Sequence, residues 1–425
     1  MDRGRVCARC TDGLRVSTVQ GVDATAEDIE QLKKRAESLI DSLSPRLVEV
    51  SHLLHANPEL NFEEHYAHEL LTGEIEAAGL RPTRGAYGVA TSFRADAGSQ
   101  GPRVAVILEY DALPEIGHAC GHNIIAAAGL GAGMVLASLA DSGVGRVAIM
   151  GTPAEEGGGG KIMMARQGAF DDVDAAMMIH PADADLIRMD TIAVQNVAVE
   201  FFGKESHAAA APHNGRNALD AAVLAYTAAG ALRQHILPTE RVHGVFVRGG
   251  DKPNIVPKHT EMLWYARSTT ISSLQPLKER LEACFHAGAM AAGCTCAVAW
   301  EGHTYSDMRD NAAMVAAYVA NSQRYGRSVA DPVTLGRRVM GSTDRGNVSH
   351  LVPSIHPMIQ VADPGVSIHT REFAACAASA RGDQAVIDGA KAMAATVIDL
   401  WMRPGLLDAV RADFGSGPDR SVLTP

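Results

Sequence analysis

Cationic residues are in short supply in this chain: 38 Lys and Arg stand against 49 Asp and Glu, a formal net charge of −11. Non-specific nucleic-acid binding draws on cationic patches that displace counterions, so no nucleic-acid partner is expected. The opening residues hold no basic stretch running into an apolar one, so no export signal is expected and the expected compartment is the cytoplasm. Cysteine is sparse too. Seven in 425 residues suit a reducing compartment better than a disulfide framework. Cys7 and Cys10 have no second Cys or His pair nearby and are not read as a zinc knuckle. Long apolar runs are nearly lacking; the exception is Ile124 to Ala140, seventeen residues without a charge. That length is the bottom of the transmembrane range. The run is rich in Gly and Ala and follows a loop of ligand-type residues, so a buried helix is expected and no membrane partner. No internal repeat or low-complexity tract is visible.

What is present concentrates in GHACGHN, Gly117 to Asn123. It places His118, Cys120 and His122 within five positions, directly after EYDALP, Glu109 to Pro114. Arg103 to Leu108 (RVAVIL) reads as a short buried strand, so the cluster sits at a strand end, where α/β sheets usually bind ligands. Positions i and i+2 diverge by about 200° on a helix, so Cys-x-His suits a loop converging on one ion. Cys together with His favours zinc, with manganese and cobalt open on ligand type. Alone, a buried cysteine flanked by incidental histidines explains the cluster as well.

A second motif follows the next apolar strand, Arg146 to Thr152 (RVAIMGT): Pro153, Ala154, Glu155, Glu156, then Gly157 to Gly160. Two adjacent carboxylates at a strand end point different ways, so one can ligate an ion while the other serves as general base toward water. The glycines let the backbone come close before a helix begins. Read alone, this is equally a solvated Glu pair beside a flexible loop. Val173 to His180 (VDAAMMIH) reads as a strand ending on histidine, and Ser367-Ile368-His369-Thr370 puts another histidine before a long helical stretch. Cys120, His122, Glu156, His180 and His369 make five potential ligands, with Glu155 left free. Five exceed one tetrahedral site and suit a two-metal centre with a shared ligand.

HACGHN, PAEEGGGGK, the strand-end His, SHAAAAPHNGRNALDA, GGDKPNIVP, GSTDRGNVS and the late His occur in an order that resembles the aminoacylase/carboxypeptidase family of co-catalytic metallopeptidases. Within it the likeness is to the amidohydrolase branch of hippurate, aminobenzoyl-glutamate and auxin-conjugate hydrolases. GSTDRGNVSHLVPSIHP most resembles the β-alanyl-dipeptide hydrolases there. The likeness runs from about Glu49 to Phe414. It implies Cys120, His122, Glu156, His180 and His369 as ligands of one or two divalent ions (Zn or Mn, or Co) and Glu155 as catalytic base. Cys120 stands where other branches carry a bridging Asp, and a metal-bound thiol loses its proton, keeping the charge. Asp111 matches the carboxylate that orients a ligand histidine. His207 resembles the histidine that polarises the scissile carbonyl, often from a partner subunit. Asn254 and Arg267 match positions that hold a substrate carboxylate. His118 is read as structural, or as a support for a ligand.

A hydrophobic share of 47% over this length is enough for two domains. Residues 1–24 read as an irregular segment. Thr25 to Leu80 reads as two amphipathic helices interrupted at Asn57-Pro58, with Thr25 as N-cap of the first. Strand and helix signals then alternate to about residue 190, implying an α/β fold with a mostly parallel sheet. Ile192 to Phe202, Val242 to Val247, Glu261 to Ser268 and Cys296 to Trp300 read as strands. Helices are expected at Asn217 to Leu237 and Leu274 to Ala292, giving a β-α-β-β-α-β pattern of ferredoxin-like type. The expected division is a catalytic domain of residues 25–190 and 306–425, and a smaller inserted α+β dimerisation (lid) domain of residues 191–305. The resemblance implies that such an insert forms a homodimer, edge strand to edge strand, with higher assemblies open.

The expected chemistry is metal-assisted hydrolysis of a C–N bond in a small carboxylate-bearing substrate: an N-acyl amino acid, a dipeptide or aminobenzoyl-glutamate. Glu155 takes a proton from water and returns it to the departing nitrogen, while His207 helps hold the developing oxyanion. One alternative keeps the same centre but releases ammonia from an aromatic amine, as in nitroanthranilate aminohydrolases. A more distant one is a non-catalytic ligand-binding protein on the same fold.

Overall fold

Both apolar runs that precede the ligand motifs are strands, and they lie side by side. The computed structural model describes residues 24–140, 142–336, 340–415 and 417–424. Cys7 and Cys10, and all but the last residue of the 1–24 segment, lie outside the described residues. Strand β3 (Arg103–Leu108) pairs in parallel with β4 (Arg146–Gly151), with Leu108 opposite Gly151. On its other side β3 pairs in parallel with β5 (Ala175–Met177), Val106 opposite Met177. The three carboxyl ends therefore stop at one level, which gathers the residues that follow them.

The full sheet runs β1-β2-β4-β3-β5-β13, where β1 is Thr83–Arg84, β2 Phe93–Ala97 and β13 Ser354–Ile355. β13 is parallel to β5, whereas β1 and β2 add an antiparallel margin beside β4. The fold is α/β with a mostly parallel sheet.

Thr25 caps helix α1 (Ala26–Ala56): its hydroxyl accepts from the Asp28 N–H, and the Asp28 carboxylate returns a bond to the Thr25 N–H. The break at Asn57-Pro58 is longer than a kink, since α2 starts only at His65 (His65–Ala77). Ile124 to Ala140 belongs to helix α3 (His122–Ala140), buried except at Ser138. It is long and apolar enough to cross a membrane, yet it packs against α1, the sheet and α10 (Ala380–Met402).

Two expected elements are broken. VDAAMMIH leaves the main sheet after Met177, and His180 opens a separate strand, β6 (His180–Ala182). β6 pairs in parallel with β14 (Met358–Gln360), and Pro181 sits there without needing to donate to a central ladder. The long stretch after His369 is two helices, α9 (Arg371–Ala377) and α10, because Ser379 accepts from the Gly382 N–H and caps a new start.

Between the halves of this layer stands a second sheet. Its elements are β8 (Ala193–Phe202), α5 (Ala218–Leu232), β9 (Arg241–Arg248), β10 (His259–Ser268), α6 (Ile271–Ala291) and β11 (Thr295–Tyr305). The strands are antiparallel in the order β11-β8-β10-β9, a ferredoxin-like pattern. Alternation along β10 buries Met262, Trp264 and Ala266 against α5 and α6, where Phe201 and Phe285 complete a core of its own. Leu263, Tyr265 and Arg267 take the open face. A short parallel ladder pairs β7 (Asp190–Thr191), just before the chain enters this sheet, with β12 (Met340–Gly341).

A candidate two-metal centre

The Cys-x-His loop turns on Gly121, which has φ +81°; a Cβ there would lie 2.8 Å from the Pro181 ring. The turn leaves Cys120 just before α3 and His122 as its first residue. His122 Nδ1 donates to the Asp111 main-chain oxygen at 2.8 Å and to its Oδ1 at 3.0 Å. That leaves the other ring nitrogen, Nε2, buried without a hydrogen-bond partner among the described residues. His180 is set the same way: Nδ1 bonds the Pro181 carbonyl at 2.8 Å, and Nε2 lies 3.3 Å from Cys120 Sγ.

After β4, Ala154 takes φ 58°, rare outside glycine, and the Glu64 carboxylate holds its N–H at 2.8 Å. The twist sends Glu155 and Glu156 to different sides. Farther on, a Cβ on Gly160 would lie 1.9 Å from the Pro153 carbonyl, so only glycine closes this loop before α4 (Gly160–Arg166). Glu156 Oε1 lies 3.3 Å from His369 Nε2, and the Glu156 N–H donates to Asp111 Oδ2 at 2.8 Å. His369 itself has φ 63°, and its N–H bonds the Ala119 carbonyl at 2.8 Å, which ties the late histidine to the Cys120 loop.

Three sets of donor atoms lie within 4.8 Å of one another: Cys120, His122 and His180; Cys120, Glu156 and His369; His122, Glu155 and Glu156. Cys120 belongs to the first two sets and Glu155 only to the third. The donors fit a pair of divalent ions. His122 Nε2 is buried and has no hydrogen-bond partner among the described residues. Burial and then the charge of Glu156 push the Cys120 thiol far above its ordinary pKa, so its ionisation calls for a cation beside it. A fourth acid–histidine group, Glu200, His259 and Glu261, lies half-buried on the smaller sheet.

The two glutamates are driven apart electrostatically. Burial, then the charges of Glu109, Glu156 and Asp344, push Glu155 well above the usual carboxylate range. Burial would raise Glu156 as well, but the His369 hydrogen bond and the charge of His122 outweigh it and hold Glu156 low. Such a split pair is what separates a base from a ligand.

Sequence reasoning gave no role to the buried cluster behind Glu155. Lys161 Nζ lies 2.6 Å from Glu109 and 2.7 Å from Asp344, all three side chains inaccessible to solvent. Glu109 and Lys161 belong to motifs already singled out, EYDALP and GGGGK, but nothing in their spacing pairs them with Asp344. His356, in a cavity of about 360 Å³ shared with Cys120, Glu155, Glu156, His180 and His369, was missed too. Burial, then the proximity of the His180 ring and of the Arg345 guanidinium, keep His356 well below the usual histidine range. A more open hollow of about 450 Å³ beside Arg233 and His243 contains none of the donor sets.

His118 joins no donor set. It is buried beside His55, ring centroids 6.2 Å apart, and burial, then the charges of His122 and His55, push its pKa down to about 3. His207, Asn254 and Arg267 are on the smaller sheet's layer and do not line the cavity. His207 and Asn254 are neighbours there: the Ala208 N–H bonds the Asn254 carbonyl at 3.0 Å. His207 Nδ1 accepts from the Ala210 N–H at 3.1 Å, which puts the ring proton on Nε2. Arg267 lies over the Tyr265 ring, 5.5 Å from its centroid.

Fold and donor set together define a hydrolase of C–N bonds with a metal-binding centre at the strand ends. Residues 106–399 match peptidase family M20/M25/M40, and the chain belongs to that family. It is 40% identical over 405 residues to the Xaa-Arg dipeptidase of Mus musculus, covering 92% of this chain and 94% of the relative. It is 34% identical over 274 residues to one of the subunits of p-aminobenzoyl-glutamate hydrolase of Escherichia coli (strain K12), covering 60% of this chain and 57% of the relative. A dinuclear metal-binding peptidase of Bacillus subtilis superposes with a TM-score of 0.64 at 19% identity, covering 84% of this chain and 99% of that one.

Proposed function

We propose that the chain is a two-metal amidohydrolase, zinc or manganese-loaded, that releases a carboxylate-bearing amino acid from dipeptides and N-acyl amino acids. Dipeptides ending in arginine come first, supported by the mouse relative's likeness over nearly the whole chain. The observation that carries the reading is Cys120, shared by two donor sets, with Glu155 in a third set beside them.

Cys120, His122 and His180 would hold one ion, and Cys120, Glu156 and His369 the other. When bound, the ions supply Lewis acidity that activates water and polarises the amide carbonyl. Glu155 takes the water's proton, for which a raised pKa suits it, and delivers that proton to the departing nitrogen. Asp111 holds the His122 tautomer and the Glu156 backbone at once. His207 offers Nε2–H to the developing oxyanion, and Asn254 and Arg267 take the substrate carboxylate, which requires the lid to close over the cavity. The protein works as a homodimer joined along the β9 edge, where Val245 and Val247 are 62% and 55% exposed. The five described cysteines are all unpaired, in keeping with the cytoplasm.

Glu155→Gln tests the reading. Metal-loaded wild type should release free amino acid from an arginine dipeptide without ammonia, and the variant should lose about 10²–10⁴ in rate with its metal retained. Metal loss in the variant would reverse the roles of Glu155 and Glu156; ammonia release would replace the amide reading altogether.

A further inference from the structure

His356 stands between β13 and β14, with no task in the scheme above. Its ring meets His180 edge-on, centroids 5.3 Å apart, in the wall of the catalytic cavity. The backbone on either side of the ring is fixed. The Asp310 carboxylate accepts from the His356 N–H, and the Pro357 carbonyl accepts from the His180 N–H at 2.9 Å. The residue is 2% exposed, and neither ring nitrogen has a hydrogen-bond partner among the described residues. Such a group, rigid, buried and unpaired, destabilises the fold unless something else meets it. Arg345 lies outside the cavity lining, fully buried and close enough for its charge to act on His356; its three side-chain nitrogens also have no hydrogen-bond partner among the described residues. A guanidinium only donates. Beside that charge a neutral ring is favoured with its lone pair nearer the guanidinium, which leaves its N–H for the cavity it lines.

We propose that His356 is a specificity-determining residue that donates a hydrogen bond to an acceptor atom on the acyl half of the substrate. The assignment rests on the function proposed above, in which the lid takes the carboxylate half. The cavity is lined by no residue of the lid, so the acyl half is what enters it. Its other walls include Leu186, Met189, Met358 and Ile368. The favoured class is a flat, apolar acyl group with an acceptor at its buried end.

The test compares N-benzoyl-arginine with its three N-pyridinecarbonyl isomers, in which an acceptor nitrogen replaces one ring CH. Wild type should hydrolyse at least one pyridine isomer about tenfold better than the benzoyl compound, the value of one neutral hydrogen bond, with the gain in KM. His356→Phe should erase that preference with metal content unchanged, and His356→Gln, which keeps a donor, should restore part of it. A preference missing in wild type, or kept in His356→Phe, overturns the assignment. So does metal loss in His356→Phe, which would make the ring a prop for His180. If wild type cleaves none of the four amides, the proposed function fails instead. His356 is then judged by equilibrium binding of the same compounds to metal-loaded Glu155→Gln and Glu155→Gln/His356→Phe. The same tenfold contrast supports it; equal binding, or none, overturns it.

Discussion

Replacing Asp111 with asparagine exchanges one oxygen for an NH2 group and should strip the enzyme of most of its metal affinity. Oδ1 accepts from His122 Nδ1 and Oδ2 from the Glu156 N–H, so both partners are donors. An amide has only one acceptor to give them. If its NH2 faces His122, the ring can avoid a clash only by moving its proton to Nε2, the atom that should ligate. The Asp111 main-chain oxygen, 2.8 Å from Nδ1, resists that move. If the NH2 faces Glu156, a backbone N–H is left buried and unpaired beside the other ion. Either orientation costs roughly 1–3 kcal/mol, a factor of about 5–150, and losing the carboxylate behind a ligand histidine typically lowers metal affinity about 10–100-fold. The ranges overlap at about 10–100-fold. Competition with a chromophoric chelator measures it, with circular dichroism to confirm that Asp111→Asn is folded. Wild-type affinity in a folded variant would refute the argument, because neither donor would then depend on the second oxygen.

Cys120→Ala should lose metal from both positions along with activity, and Cys120→Asp should recover more metal than Ala because it returns an anionic ligand; metal analysis of the purified variants decides, and full occupancy in the alanine variant rules out a shared thiolate. His207→Ala should lower kcat by about 10²–10³ with metal content intact; a wild-type kcat would confine His207 to the architecture of the lid. His118 contributes to acid stability. Its folded pKa of about 3 is depressed, so its contribution is complete above the unfolded value near 6.5 and is lost as pH falls between them. At pH 4.5 the loss is on the order of 3 kcal/mol, and urea unfolding at pH 7 and 4.5 should show a smaller difference in His118→Asn than in wild type. Equal differences would mean that His118 is protonated in the folded state at pH 4.5.

Legibility followed sequence distance. RVAVIL and RVAIMGT were readable as strands because short apolar runs bounded by turn residues have few other uses, and the candidate donors follow within four positions of Thr152 and fourteen of Leu108. The β-α-β-β-α-β pattern was readable because α5 and α6 carry helical periodicity between alternating strands. The break before His180 was not, since it depends on pairing with β14, far along the chain. Nor was the partner of Lys161: Asp344 lies 183 positions away, and no local rule connects them. His356 was hidden for a further reason. Its interest comes from having no partner, which a sequence cannot show.

The bond from the His369 N–H to the Ala119 carbonyl has a consequence for how the protein is made. A chain emerging from its N-terminus presents Cys120, His122, Glu156 and His180 early, then spins out the whole inserted sheet before β14, which pairs with the strand that His180 opens, and His369 appear. Contacts closed over such a span form late, because their loop entropy is met before they give anything back. Both metal positions therefore wait for the last part of the chain, one for β14 and the other for His369. Until then a nascent chain would be folded around β3 and β4 and open where the ions bind. Metal supply as synthesis ends thus bears on how long that open state lasts, and ion binding draws the completed chain toward the native state by mass action.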